Sequence, residues 1–281
     1  MDLGVMVFPT DRAMPPDELA REVEARGLST LMFPEHTHIP VDHSPYPAGG
    51  ELPEMYFRTL DPFVACTAAA TATTDLRVGT GICLVAQHDP IDLAKQVASV
   101  DHLSGGRFAF GIGYGWNRPE VEHHGVAWDD RRDHVTEAVH AMKALWTEEV
   151  ASFDGTHVRF GPSYAWPKPV QVPHPPVLLG AALGPRSIAA MVDHCDGWMP
   201  IGGSGLREQL PELRGALEAG GRDPDAFEVM VYGSSPDADK LRFYAGLGVS
   251  TTMLWLPPAG RDEVLPVLDR VASLAEELAA A

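Results

Sequence analysis

Short apolar, β-branched runs alternate with segments of helical periodicity along the whole chain. Eight runs read as strands: residues 3–8, 30–34, 76–84, 107–113, 176–181, 197–201, 227–232 and 250–256. Between them, residues 131–150 place Val135, Ala138, Val139, Met142, Leu145 and Trp146 at spacings of three and four, which makes one apolar helix face. Leu93, Val97 and Val100 repeat the pattern over 92–103, and the alanine-rich tail from Val264 to Leu278 does the same. Asp61-Pro62 and Ser235-Pro236 read as N-caps followed by proline at the first helical position, where its missing N–H costs nothing. This alternation predicts parallel strands joined by helices. A count of eight fits a (β/α)8 TIM barrel better than an open doubly wound sheet, so one α/β barrel domain is expected over residues 1–281.

Two connections are too long for simple turns. Residues 38–59 are rich in His and Pro, and residues 151–175 carry Phe153, Tyr164 and Trp166. Loops beyond about 12 to 15 residues are usually lids or linkers, and the aromatic content predicts lids.

Composition changes the picture mainly through charge. With 39 acidic and 21 basic side chains the chain carries −18, and no basic run exists to neutralise phosphates, so neither nucleic acid nor an anionic membrane is an expected partner. The first residues lack a basic stretch leading into an apolar one, and no apolar run approaches the ~20 residues of a span. A cytoplasmic protein is expected. Cys66, Cys83 and Cys195 are far apart and odd in number, which predicts buried free thiols rather than disulfides or a zinc ribbon.

Three stretches carry candidate chemistry. In LSGGRFAFGIGYGWN (103–117) a turn enters a strand that ends in Gly111, Gly113 and Gly115, where backbone can approach a flat ligand closely. It is no dinucleotide fingerprint, since Trp116 stands where GxGxxG needs glycine. In GAALGPRS (180–187), Gly184 and Pro185 open a helix whose free N–H groups, with Arg186 and Ser187, form an anion pocket suited to phosphate. In PEHTHIPVDH (34–43), Glu35 and His36 follow the second strand, at the end where a barrel carries its active site. A histidine titrates near neutrality and suits proton transfer beside a hydride acceptor. Glu35, His36, His38 and His43 match no zinc spacing, so no metal is expected. The GxSxG and GxxxxGK[ST] patterns of serine hydrolases and P-loop proteins do not occur.

With these stretches in place, the chain resembles the bacterial luciferase-like monooxygenase superfamily, and within it the coenzyme F420-dependent oxidoreductases. The resemblance rests on PEHTHIP, on LRVGTGICLVAQHDPIDLAKQVASVDHLSGGRFAFGIGYGWNRPE (76–120), on PKPVQVPHPPVLLGA and on GPRSIAAMVDHCDGWMPIG, nearly the whole length. It implies a barrel whose cofactor lies at the C-terminal mouth, against a bulge at Gly81-Ile82 that often contains a cis peptide. Cys83 and Asn117 are implied neighbours of the cofactor. The family's phosphate region falls on Gly184, Pro185, Arg186 and Ser187, beside Gly180, Ala181, Gly202 and Gly203. Against the charge of −18, an anionic cofactor would rely on local positive features such as Arg186 and Lys168.

Glu35-His36 matches the family's acid–histidine position, which implies His36 as proton donor or acceptor and Glu35 as its support or a cofactor contact. The F420-dependent sugar-phosphate dehydrogenase has a catalytic glutamate just after the fourth strand. Here Gly115, Trp116 and Asn117 stand there, with Glu120 only further on, so a sugar phosphate is not expected. Phe57, Tyr114, Trp116 and Trp166 instead suggest a pocket for an apolar or aromatic substrate. The resemblance thus implies an F420-dependent oxidoreductase that exchanges hydride with a small organic substrate. A monooxygenase using reduced FMN is the alternative on the same pocket, and a non-catalytic flavin-binding homologue is the alternative of another class. Dimers are common in the superfamily, so a homodimer is also implied.

Overall fold

The computed structural model describes residues 1–279 of the expected 1–281 domain. Its strands are β1 (Asp2–Met6), β2 (Thr30–Phe33), β3 (Arg77–Leu84), β4 (Phe108–Gly113), β5 (Ala151–Asp154), β6 (Arg159–Ser163), β7 (Val177–Leu179), β8 (Gly197–Trp198), β9 (Glu228–Ser234) and β10 (Thr251–Trp255). The helices are α1 (Pro16–Ala25), α2 (Pro62–Thr71), α3 (Pro90–Leu103), α4 (Arg118–His123), α5 (Arg131–Thr147), α6 (Pro185–His194), α7 (Leu206–Ala219), α8 (Ala238–Gly246) and α9 (Arg261–Ala279). Strands β1, β10, β9, β8, β7, β4, β3 and β2 pair in that order and close a parallel barrel, while β5 and β6 form a separate antiparallel hairpin. This is the predicted (β/α)8 architecture.

The barrel interior is filled by Met6, Met32, Met199, Met230 and Met253, with Ala109, Leu178 and Tyr232. Several of the glycines make room for these long side chains. A Cβ on Gly4 would stand 2.6 Å from Met253 Sδ, one on Gly79 2.9 Å from Met32 Cε, and one on Gly111 2.9 Å from Met199 Sδ. Unbranched thioethers fill such irregular space well. The larger core lies between the sheet and the helices, and all three cysteines are buried free thiols.

Asp61 caps α2 as expected, its Oδ1 accepting from Val64 N at 2.9 Å. The Ser235-Pro236 start is corrected by two residues: α8 begins at Ala238, because Asp237 supplies the cap and accepts from Lys240 N at 2.8 Å. The strand expected over 197–201 stops at Trp198, leaving a lone bridge from Ile201 to Tyr232. Pro200 lies in the gap and has no N–H to continue a ladder.

The two long connections differ in their contacts. Residues 38–59 cross the C-terminal mouth of the barrel, where the Tyr56 ring lies 5.1 Å from the His36 ring and Tyr46 follows it. The segment 151–175 forms the β5–β6 hairpin and then runs down the flank along α3 and α5. Lys95 Nζ donates to Trp166 O, Lys168 Nζ to Leu145 O at 2.8 Å, and Gln171 Nε2 to Phe108 O at 2.8 Å. Phe108 is the first residue of β4, so this path leads away from the mouth. The lid expectation does not fit this segment. No helix among the described residues is long and apolar enough to cross a membrane.

Candidate functional site

Strand β2 ends at Phe33, and the next residues turn their side chains into two different pairs. His36 Nδ1 lies 2.9 Å from Glu120 Oε1 and 3.0 Å from Oε2. Glu120 is carried by the short helix α4, opened by Pro119 in its first turn, and is buried. Asn117 stands at the N-terminal edge of α4 and donates from Nδ2 to Glu120 Oε2 at 3.2 Å. Among the described residues nothing hydrogen-bonds His36 Nε2. The ring is thus held from behind and open in front.

Glu35 turns the other way and is fully buried. Its Oε2 accepts from Leu84 N at 2.6 Å and its Oε1 pairs with His88 Nε2 at 2.8 Å. Burial alone would raise this carboxyl, but bonding to His88, the charge of His88 and the Leu84 N–H outweigh it and hold Glu35 below its usual range. Burial likewise opposes the charge on His88, and the Glu35 partner outweighs it, raising the imidazole. Glu35 therefore ties the end of β2 to the end of β3 and makes no contact with His36's open face.

The end of β3 is the expected bulge. Its register with β4 shifts between Thr80 and Cys83, and Gly81-Ile82 is a cis peptide. Gly81 O accepts from the Tyr232 hydroxyl, and a Cβ on Gly81 would meet that oxygen at 2.2 Å. Ile82 extends its side chain over the barrel interior. A Cβ on Gly113 would stand 2.4 Å from Ile82 Cδ1 and one on Gly180 2.7 Å from Ile82 Cγ2. Gly113 of the glycine run and Gly180 beyond it thus make room for Ile82. Cys83 is fully buried close to Glu35, where burial first and the neighbouring carboxylate second push its thiol up, and it has no exposed atom to offer a ligand at the mouth.

Aromatic side chains wall the mouth. Tyr56 and Trp116 have ring centroids 5.1 Å and 5.9 Å from that of His36. Tyr46 follows, its hydroxyl 3.2 Å from that of Tyr56, and Phe8 continues the wall at 4.7 Å from Tyr56, with Trp255 stacked beyond at 6.1 Å. Tyr46 and Tyr56 come from the 38–59 segment. That segment is latched to α4, since Ser44 N donates to Asn117 Oδ1 at 2.9 Å and Arg118 N donates to Ser44 Oγ at 3.0 Å.

Of the expected pocket residues, Trp116 is therefore at the site. Phe57 is half exposed, and its chain neighbour Tyr56 takes the place at His36. Trp166 is 60% exposed on the flank with Lys168 beside its ring, so neither joins the mouth. Tyr114 points elsewhere, into a cleft of about 520 Å³ that it shares with Arg132 and Arg186. Burial pushes its hydroxyl up to about 12, and the Arg132 guanidinium lies 4.6 Å over its ring.

Of the expected phosphate region, Arg186 lines this cleft, beside Asp129, Asp133 and Asp193. Gly184 caps α6 with extended backbone and open space around it, Pro185 has no N–H, and the first-turn N–H groups of Arg186 and Ser187 have no acceptor within the helix. The Ser187 hydroxyl is already committed to Ala182 O and Gly184 O at 2.8 and 3.0 Å. Ala181 O accepts from Trp198 Nε1 at 2.8 Å, Gly202 has φ +69° with nothing near an added Cβ, and Gly203 packs under the Tyr244 hydroxyl.

Sequence reading missed Glu120 as His36's partner and placed Asn117 against a cofactor. A usable signal was present, because Asn117-Arg118-Pro119-Glu120 reads as an N-cap followed by a helix start, and a glutamate at the third helical position reaches back toward the cap.

A family model described as luciferase-like monooxygenase matches residues 12–273. An uncharacterised protein of Mycobacterium tuberculosis is 41% identical over 278 residues, covering 97% of this chain and 98% of the relative. An FMNH2-dependent dimethylsulfone monooxygenase of Pseudomonas putida is 32% identical over 160 residues, 55% of this chain and 43% of that protein. In structure, an F420-dependent secondary alcohol dehydrogenase bound to an F420–acetone adduct superposes with a TM-score of 0.77 at 16% identity, covering 99% of both chains, a likeness of fold. The barrel, the bulge of β3 and the family match over residues 12–273 agree, and the chain belongs to the luciferase-like monooxygenase family.

Proposed function

We propose that this protein is a coenzyme F420-dependent oxidoreductase acting on a small apolar or aromatic substrate, with His36 giving or taking the proton. The observation that carries this reading is the His36–Glu120 pair, in which Nδ1 is held at 2.9 Å and Nε2 is left facing an aromatic-walled mouth. A carboxylate on Nδ1 fixes the tautomer that leaves Nε2 as acceptor and stabilises the ring when Nε2 gains a proton.

The residues fit an anionic tricyclic cofactor. The free N–H groups at the start of α6 and the Arg186 guanidinium would hold a phosphate against the net charge of −18 and against Asp129, Asp133 and Asp193, which line the cleft together with Arg132 and Arg186. Ile82 at the bulge would support the ring system from the barrel side. When bound, a deazaflavin supplies hydride transfer, since carbon replaces the nitrogen through which a flavin reacts with oxygen. Tyr46 and Tyr56 would exclude water above it, and Trp116 would form the apolar wall beside the substrate. Two copies of the chain would form a homodimer, and the enzyme would work in the cytoplasm.

The second reading is a monooxygenase using reduced FMN, supported by the similarity to the FMNH2-dependent dimethylsulfone monooxygenase of Pseudomonas putida. Titration of the apoprotein with F420 and FMN side by side separates them. The F420 reading expects tight F420 binding and weak FMN binding. Retained FMN with oxygen consumption would overturn it.

A further inference from the structure

Asn117 is more than a neighbour of the site. Its amide is committed at both ends: Oδ1 accepts from Ser44 N of the 38–59 segment at 2.9 Å, and Nδ2 donates to Glu120 Oε2 at 3.2 Å. The partners fix its orientation, because a backbone N–H only donates and an ionised carboxylate only accepts. Glu120 in turn holds His36. The side chain is 1% exposed as a residue, so solvent does not compete for these bonds.

Thr37 and His38, at the start of this segment, grip α4 at its other end. Thr37 Oγ1 lies 3.2 Å from His124 Nε2, and His38 Nε2 lies 3.0 Å from His123 Nδ1. The helix that carries Glu120 is thereby bracketed by residues 37–44.

We propose that Asn117 is a positioning residue that couples closure of the 38–59 segment to the proton affinity of His36, an inference that rests on His36 handling the proton in the reaction proposed above. With the segment closed, Ser44 N occupies Oδ1 and turns Nδ2 onto Glu120. The carboxylate then shares its charge between two donors, Asn117 and His36, and stabilises the imidazolium less. With Ser44 gone, the amide is free to rotate and the whole carboxylate acts on His36. Closure over a substrate therefore makes His36 the stronger acid, which favours the direction in which it gives the proton.

The titratable groups around His36 are few. Glu120 faces it from α4, and Tyr56 faces it from the 38–59 segment with Tyr46 behind. Glu35 and His88 lie on the opposite side of the chain, paired with each other, and His38, His123 and His124 gather at the far end of α4.

The test is the titration of His36 itself, read by histidine NMR on the full chain and assigned by loss of the signal in His36→Asn. Asn117→Asp keeps the acceptor for Ser44 N but sets a carboxylate against Glu120. Asn117→Ala removes both bonds, and Ser44→Pro removes the N–H of the segment together with the Oγ that accepts from Arg118 N, while leaving Asn117 itself in place. All three move the His36 titration to higher pH, Asn117→Asp the most and Ser44→Pro by about half a unit. Tyr164→Ala on the flank leaves it in place. An unmoved titration in Ser44→Pro would refute the coupling to the segment, and an unmoved one in both Asn117 variants would refute the role of Asn117. These readings need no turnover. Shifts as expected in a protein that binds neither F420 nor FMN would sustain the coupling and sink the proposed reaction, whereas turnover without shifts would sink the coupling alone.

Discussion

Glu35 and His36 stand side by side after β2, and each makes a carboxylate–imidazole pair with a partner from elsewhere in the barrel. Burial does not separate the two, since the four side chains are 0%, 14%, 6% and 1% exposed for Glu35, His88, His36 and Glu120. What separates them is the atom left over. Glu35 uses one oxygen on Leu84 N and the other on His88, so its pair is closed and ties β2 to the bulge of β3. His36 uses one nitrogen on Glu120 and leaves the other toward the aromatic wall. A closed pair is a fastening, whereas the pair with a free imidazole nitrogen is the one to which the proposed reaction assigns the proton.

The largest effect that would break this comparison concerns the fastening. Glu35→Gln leaves a buried His88 without its charge partner and costs about 3 kcal/mol or more of stability, measured by urea unfolding. A loss below about 1 kcal/mol would show that the pair holds nothing. The same pair sharpens the comparison through pH. Glu35 is held below its usual 4.5 and His88 above its usual 6.5, so the pair's contribution is complete between those values. It is lost as acid passes the lowered Glu35 value and as base passes the raised His88 value. The stability gap between wild type and Glu35→Gln should therefore be widest between about pH 4.5 and 6.5 and shrink on both sides. A gap that does not vary with pH would contradict the pairing.

A smaller effect is expected at the bulge. Tyr232→Phe removes the hydroxyl that bonds Gly81 O deep in the barrel and costs about 1 to 2 kcal/mol in the same unfolding assay. The smallest is on the flank. Trp166→Ala changes stability by about 0.5 kcal/mol or less and leaves turnover unaltered, because the exposed ring lies along α3 and α5 and not at the mouth. A clear loss of turnover in Trp166→Ala would restore the lid reading of 151–175.

The legible part of this molecule was whatever depends on local pattern. Eight strands, the apolar face of α5, the Asp61 cap and the positions of Glu35, His36 and the start of α6 all follow from period and spacing. Pairings across the barrel were less legible. Nothing local says that Gly113 and Gly180 yield space to Ile82, since that neighbourhood exists only when β3, β4 and β7 lie side by side. Glu120 was passed over because distance along the chain from the fourth strand was taken for distance from the site, and the turn into α4 reverses that. Trp166 was misplaced because an aromatic ring in a loop reports an apolar surface to cover and not which surface.

The reagent pair is tested most directly by hydride exchange with F420 in His36→Asn and wild type, with F420 affinity measured on both. Asparagine keeps a donor for Glu120 near the position of Nδ1 and removes Nε2, so the fold and the cofactor site stay intact. The expected result is a kcat lower by about a hundredfold or more at unchanged F420 affinity. An unchanged kcat would contradict the assignment of the proton to His36.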